Sequence, residues 1–195
     1  MAYNITLEGK NLEEAENLLK VALDIFHTCE VQYWLEGGTL LGIYREARLL
    51  PWDNDLDISI LSVETAKLPI LIKSLNKKGL RVRTRTFEYD EMPYFKKGSF
   101  RMIKIRRKRF FGLLKGKVCL DVFIKYEHNG NTYWKIGNKT KLVPSRYYHK
   151  LASIAFKGNN YYIPKFTEDY LTYRYGDWRR PKKDWDTFTN DNALL

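Results

Sequence analysis

The segment WLEGGTLLGIYREARLLPWDNDLDI, Trp34–Ile58, decides how the rest of the chain is read. A short apolar run enters the glycine pair Gly37-Gly38, followed by the hydroxyl of Thr39, and the chain leaves through Asp55-Leu56-Asp57-Ile58-Ser59-Ile60. Successive side chains of a strand point to opposite faces. Asp55, Asp57 and Ser59 therefore share one face, and Leu56, Ile58 and Ile60 fill the other. Two carboxylates about 7 Å apart along a strand raise each other's pKa unless a cation sits between them. A hard divalent ion relieves that conflict, and Mg²⁺ takes only one or two protein carboxylates when substrate phosphates supply the other oxygens. Glycines let a phosphate or sugar approach the backbone closely. Taken singly, a D-x-D or a glycine pair is as readily a solvated strand edge or a turn.

Together the parts are far more specific. Gly37, Gly38, Thr39, Leu40, Leu41 and Gly42, then the basic residues Arg45 and Arg48, then Pro51, Trp52, Asp53, Asp55 and Asp57 follow the pattern GG[ST]LLG, basic residue, PWDxDhDh, with h apolar. On these residues the chain resembles the LicD/fukutin family of the polymerase-β-like nucleotidyltransferase superfamily. The C-terminal third carries a second likeness. Val143-Pro144, Phe156-Lys157-Gly158, Tyr161-Tyr162-Ile163-Pro164, and Tyr170-Leu171 followed by Tyr175-Gly176-Asp177-Trp178 look like the family's closing hairpin and helix. The resemblance thus runs from Val31 to Asp186.

Composition sets the outer bounds. With 195 residues, 44% of them hydrophobic, the chain can bury one proper core. The opening MAYNITLEGK has no apolar run of the signal-peptide kind, and no segment approaches the roughly 18 apolar residues of a membrane span. Cys29 and Cys119 are too few for a disulfide framework and point to a reducing compartment. The net charge of +11 is uneven: residues 81–117 hold 13 Lys/Arg against three Asp/Glu. Such a field suits phosphorylated substrates, nucleic acid or an anionic membrane surface, and does not choose among them.

Apolar spacing predicts a helix over Leu12–Cys29 and a short strand at Tyr33–Glu36. A brief helix follows at Leu40–Glu46, then a second long helix over Val63–Lys78, interrupted or bent at Pro69 and closed by Gly79. Strands are expected at Leu80–Tyr89, Phe100–Arg107 and Lys117–Tyr126, the last paired with Asn131–Ile136 through an Asn129-Gly130 turn. Arg81, Arg83 and Arg85 share a face; Lys104 and Arg106 lie opposite Ile103 and Ile105. Cys119, Asp121 and Phe123 lie opposite Leu120, Val122 and Ile124. Asp121 is costly to bury in so apolar a strand without a partner. It is either paired with an arginine or the third carboxylate of a metal site, as the resemblance suggests. A helix over Lys165–Tyr175 stops at Gly176, and the tail after Pro181 reads as loose.

The resemblance implies a single α+β domain of nucleotidyltransferase-like fold, residues 1–195 with its core at 31–180, a small mixed sheet flanked by helices. It implies a transferase moving phosphocholine or an alditol phosphate from a CDP-linked donor to a glycan or lipid-linked glycan hydroxyl, with CMP released. In that reading Asp55 and Asp57 hold Mg²⁺ or Mn²⁺ on the donor diphosphate. Asp121 completes a second metal position and accepts the hydroxyl proton. Asp53 is a further ligand or supports one. Gly37, Gly38 and Thr39 cradle phosphate, while Arg45, Arg48, Lys104 and Arg106 neutralise charge, and Trp52 anchors its loop or stacks on a base. A cytoplasmic enzyme, with peripheral association at an anionic membrane, is expected. Nucleotidyl transfer from an NTP is the alternative reaction, and a basic nucleic-acid-binding module the alternative without catalysis.

Overall fold

A computed structural model describes residues 3–109 and 114–195. Residues 110–113 of the basic stretch lie outside the described residues. The first helix, α1 (Lys10–Thr28), buries Ala15, Leu18, Leu19, Ala22, Leu23, Ile25 and Phe26 along one stripe. A two-residue strand, β1 (Trp34–Leu35), leads to α2 (Gly37–Glu46) and then to the aspartate strand β2 (Leu56–Leu61). A 3-10 turn over Ser62–Lys67 precedes α3 (Leu68–Lys77). Pro69 sits in the first turn of α3, where a missing N–H costs nothing, so the expected interruption is a clean helix start.

The rest is mainly sheet: β3 (Leu80–Thr86), β4 (Phe100–Arg109), β5 (Leu114–Lys115), β6 (Leu120–His128), β7 (Asn131–Ile136) and β8 (Lys139–Pro144). β9 (Leu151–Phe156) and β10 (Asn159–Pro164) form a separate hairpin before α4 (Thr167–Tyr175). The main sheet runs β1-β2-β6-β4-β3, extended by β5 on β4 and by β7 and β8 beyond β6. β2 and β6 are parallel, and the remaining pairs among the described residues are antiparallel. The Asn129-Gly130 turn between β6 and β7 has φ of 48° and 75°, the left-handed pair that a two-residue hairpin needs.

Alternation divides the sheet as expected. Ile58, Val122 and Ile103 stand side by side on β2, β6 and β4, as do Leu56, Leu120 and Ile105. All six are fully buried in one core that includes the apolar stripes of α1 and α3. The other face carries the polar residues. One departure lies at the C-terminus, where the expected loose tail returns to the sheet. Leu142 N–H donates to Ala193 O at 2.7 Å and Leu195 N–H to Thr140 O at 3.1 Å, and Asp191 and Ala193 are buried. A polar sequence gives no warning of this, because the tail is held by one carboxylate and by backbone bonds.

Candidate active site

Residues paired directly across a sheet point to the same side. The register places Asp57 beside Asp121, Asp121 beside Lys104, and Lys104 beside Arg83, one row across β2, β6, β4 and β3. This row lines a cavity of 1120 Å³, together with Asp53, Asp55, Gly37 and Gly38 at the end of α2. The cavity wall also includes Tyr3, Trp52, Lys104, Arg106, Arg174 and Trp178.

α2 begins at the glycine pair itself, three residues earlier than apolar spacing predicts, because Glu36 caps it. The Gly37 N–H donates to Glu36 Oε1 at 3.3 Å. A Cβ on Gly37 would lie 2.2 Å from Asp57 Oδ2, and one on Gly38 would lie 1.9 Å from Asp53 Oδ2. The glycines therefore make room for the protein's own carboxylates at the positive end of the helix. Gly37 also has φ +57°, which a side chain would strain. Thr39 is not among the residues lining the cavity. Its buried Oγ1 accepts the Asp57 N–H at 2.9 Å, pinning the aspartate strand to α2.

The three aspartates of the PWDND-L-D segment have no ion-pair partner among the described residues, and their electrostatics show it. Burial pushes Asp53 up to about 6, with the Asn54 N–H pulling the other way. Burial and then the charges of Asp53 and Asp121 push Asp55 up to about 8. Burial, then the charges of Asp55, Asp53, Asp121 and Glu36, raises Asp57 well above the usual carboxylate range. A cation placed among these carboxylates would oppose both causes. No three His, Cys, Asp or Glu side chains among the described residues form a ready-made metal cage. A divalent ion at Asp55 and Asp57 fits only if substrate oxygens and water complete its shell, which is how Mg²⁺ is commonly held.

Asp121 differs. Its carboxylate is ion-paired with Lys104, accepts the Tyr3 hydroxyl at 3.1 Å and the Cys119 thiol at 3.0 Å. Lys104 also donates to the Tyr3 hydroxyl. The pairing open from the sequence is realised, with a lysine in place of the arginine, and Asp121 still faces the cavity. Arg106 donates to the carbonyls of Gly116 and Lys117 at 2.9 and 2.6 Å, and its guanidinium lies 4.6 Å from the Tyr3 ring centre. Arg45 faces the cavity, bound to Glu46 at 2.5 Å and to the Trp178 carbonyl at 2.9 Å. Arg48 is not among the cavity's lining residues; it is half exposed and paired with Glu46 at 2.6 Å. Trp52 lines the cavity edge, with the Lys183 ammonium 5.4 Å from its ring centre.

Sequence reasoning missed the support beneath the site. Glu36 is buried and accepts from Trp34 Nε1 at 3.2 Å, Ser59 Oγ at 3.1 Å and Arg174 Nη1 at 3.0 Å, with the Lys125 ammonium at 2.6 Å and the Tyr170 hydroxyl also bound. Arg174 continues to Asp191, whose carboxylate also holds buried Lys141. Burial would raise Glu36, but Lys125 and Arg174 overrule it and hold the group at about 2. Burial pushes Lys125 the opposite way, to about 8. With two cations and four further donors on its carboxylate, Glu36 is ionised at neutral pH. A signal was present: an acid inside the apolar run YWLEGG is as anomalous as Asp121 in VCLDVF. Tyr3 gave none.

Comparison with known proteins places these features. Residues 30–166 match the family described as LicD/FKTN/FKRP, nucleotidyltransferase domain, and the chain belongs to that family. It is similar to the ribitol-5-phosphate transferase FKTN of Mus musculus, 28% identical over 180 residues, covering 89% of this chain and 35% of that protein. The human FKTN gives the same identity and coverage. The chain thus spans about a third of the length of these relatives. Among solved structures, ANT(2")-Ia in complex with adenylyl-2"-tobramycin superposes with a TM-score of 0.45 at 18% identity, covering 88% of this chain and 81% of that one. No helix among the described residues is long and apolar enough to cross a membrane.

Proposed function

We propose that the chain is a divalent-metal-dependent phosphotransferase, moving an alditol phosphate or phosphocholine from a CDP-linked donor to a glycan hydroxyl. The observation that carries this reading is the uncompensated carboxylate cluster against the α2 N-terminus, on the wall of a cavity lined by cationic side chains. Family membership and the ribitol-5-phosphate transferase relatives support it. Mg²⁺ or Mn²⁺ on Asp55 and Asp57 would neutralise the donor's diphosphate. Asp53, beside the Gly38 backbone, would orient the ion's remaining shell.

The acceptor oxygen bonds to the phosphorus that carries the alditol or choline, the bond from that phosphorus to the CMP oxygen breaks, and the hydroxyl proton passes to a carboxylate. Asp121 would take that proton, and the hydrogen bond it accepts from the Tyr3 hydroxyl supports this reading. Lys104, ion-paired with the same carboxylate, would keep it oriented toward the cavity. Arg45 and Arg106, which also line the cavity, would add positive charge to stabilise the departing CMP. Calorimetric titration of CDP-ribitol, CDP-glycerol, CDP-choline and CTP, with and without Mg²⁺, against wild type and Asp57→Ala tests the reading. Metal-dependent binding of one CDP-linked donor, lost in the variant, is expected. Binding of CTP alone, with pyrophosphate released on turnover, would replace it with nucleotidyl transfer, the reaction named in the family's description.

A further inference from the structure

Tyr3 reaches the cavity from a segment that belongs to no helix or strand. Its hydroxyl donates to Asp121 Oδ1 at 3.1 Å, across 118 positions of chain, and accepts from the Lys104 ammonium. The ring lies against cations, with the Arg106 guanidinium 4.6 Å and the Lys104 ammonium 5.0 Å from its centre. It is half-buried and takes no part in the apolar core, which this segment joins through Leu7 and, at its edge, Ile5.

Leu7 is the anchor. Its side chain is buried, and its N–H donates to Asp53 O at 2.9 Å and to Pro51 O at 3.1 Å. Residues 3–6 make no backbone–backbone hydrogen bond with another described residue. Tyr3 and Asn4, which line the cavity, lie beyond the apolar contacts. A backbone rotation between Asn4 and Ile5 therefore carries Tyr3 out of the cavity while Leu7 stays in place. What holds Tyr3 in is polar, and polar contacts are exchanged for water or for another hydroxyl at small net cost.

Two roles fit such a contact. A wall residue fixes Asp121 and remains; an occupant stands where a substrate group belongs and leaves. The bonding of Asp121 favours the second. A carboxylate oxygen offers two lone pairs. On Oδ1 one is taken by the Cys119 thiol at 3.0 Å and the other by Tyr3. The Tyr3 hydroxyl also stands 3.4 Å from Oδ2, the oxygen that Lys104 holds. An acceptor hydroxyl gains Oδ1 only when Tyr3 withdraws. Asp121 does not depend on Tyr3 for its charge partner, since Lys104 supplies that.

We infer that Tyr3 is a built-in stand-in for the acceptor, an autoinhibitory contact whose hydroxyl fills the attacking hydroxyl's place on Asp121 until the acceptor displaces it. This deepens the phosphotransferase reading and rests on it. Apparent acceptor affinity is then reduced by the fraction of molecules in which Tyr3 is withdrawn. The same contact keeps water off Asp121 while the acceptor is absent, and so protects a bound donor from hydrolysis.

The test compares wild type, Tyr3→Phe, Tyr3→Ala and a control, Tyr89→Phe, whose ring is exposed and away from the cavity. The first measurement needs neither metal nor substrate. Alkylation by iodoacetamide is followed by peptide mass at Cys119, which is buried and shares Oδ1 with Tyr3, with the partly exposed Cys29 as internal reference. The second is hydrolysis with Mn²⁺ of whichever among CDP-ribitol, CDP-glycerol and CDP-choline binds wild type in calorimetry. There a water oxygen bonds to the phosphorus, the bond to the CMP oxygen breaks and CMP is released.

Tyr3→Phe keeps the ring and loses the hydroxyl bonds. It should raise both rates about tenfold, the weight of one hydrogen bond to a charged group, and Tyr3→Ala should raise them at least as much. Donor affinity, the Cys29 rate and the Tyr89→Phe control should match wild type. Unchanged Cys119 alkylation in Tyr3→Phe would make Tyr3 a fixed wall and overturn the stand-in. Slower hydrolysis in both variants would do the same, because that is the effect of losing a residue that positions Asp121. So would a mass gain on wild-type Tyr3, which would make it an acceptor itself. If no donor binds wild type, the phosphotransferase reading falls and the stand-in with it.

Discussion

Two groups of acids lie on either side of Gly37, and they have opposite fates. Before it, Glu36 is surrounded by Lys125, Arg174, Tyr170, Trp34 and Ser59 and is held at about 2. Across from it, Asp53, Asp55 and Asp57 stand together with no ion-pair partner among the described residues, and burial with the charges of Asp53 and Asp121 pushes Asp55 up to about 8. Both groups are drawn to the start of α2. The difference is what surrounds them. Fully paired acids fix the fold, whereas acids crowded together without a partner destabilise it and persist for what they bind. Asp121, paired with Lys104 yet open to the cavity, stands between the two.

The sharpest way to break the contrast is to unpair the first group. Glu36→Gln leaves buried Lys125 without a carboxylate and Arg174 with Asp191 alone, and should cost about 3–5 kcal/mol, read as a shift in the urea midpoint. Little change there would mean that Lys125 is neutral in the folded protein and the network is not ionic.

Asp57→Asn should do the reverse. Transfer activity is expected to fall about 10²–10³-fold, while the metal-free protein melts about 2–4 °C higher as repulsion is relieved. A variant that is both inactive and markedly less stable would place Asp57 with the structural acids. Next in size, Gly38→Ala pushes a methyl group into the space of the Asp53 carboxylate. About 10–100-fold weaker Mn²⁺ binding is expected with the circular dichroism spectrum unchanged.

The two groups also carry opposite pH dependences. Glu36 is depressed from 4.5, so its contribution is full above that value and is lost as pH falls toward about 2. Asp53 and Asp55 are raised from 3.8, to about 6 and about 8, so the folded state holds more protons than the unfolded one in between. Their effect is a stability that declines as pH rises from about 4 to about 8. Melting curves of metal-free protein should therefore peak near pH 4–5, and saturating Mn²⁺ should flatten the decline above it. Smallest of all, Arg48→Ala removes only a half-exposed pair with Glu46. It should change stability by less than about 1 kcal/mol and leave donor binding intact; a clear loss of donor affinity would return Arg48 to the site.

Much of this was readable in the sequence because it depends on short-range rules. Alternation assigned Asp55, Asp57 and Ser59 to one face and did the same for Asp121, since the period of a strand is fixed by its backbone. The Asn129-Gly130 hairpin follows from which residues tolerate positive φ. The GGTLLG…PWDNDLD motif pointed to the family, and the match over residues 30–166 shows it. Other features depend on which strands become neighbours. That Asp57 stands beside Asp121 and Asp121 beside Lys104 is a matter of register between segments far apart in the chain. The same holds for the tail, read as loose on its polarity and held by the pairing of Asp191 with Arg174 and Lys141.

The sequence by itself determined the face on which Asp57 and Asp121 stand, the strands that carry them and the family to which the chain belongs. Only the tertiary structure decided which acids are neutralised. Whether Glu36 or Asp57 receives the cations turns on distances of a few ångströms between residues up to 138 positions apart, and Coulomb energy depends on those distances and on burial, not on separation along the chain.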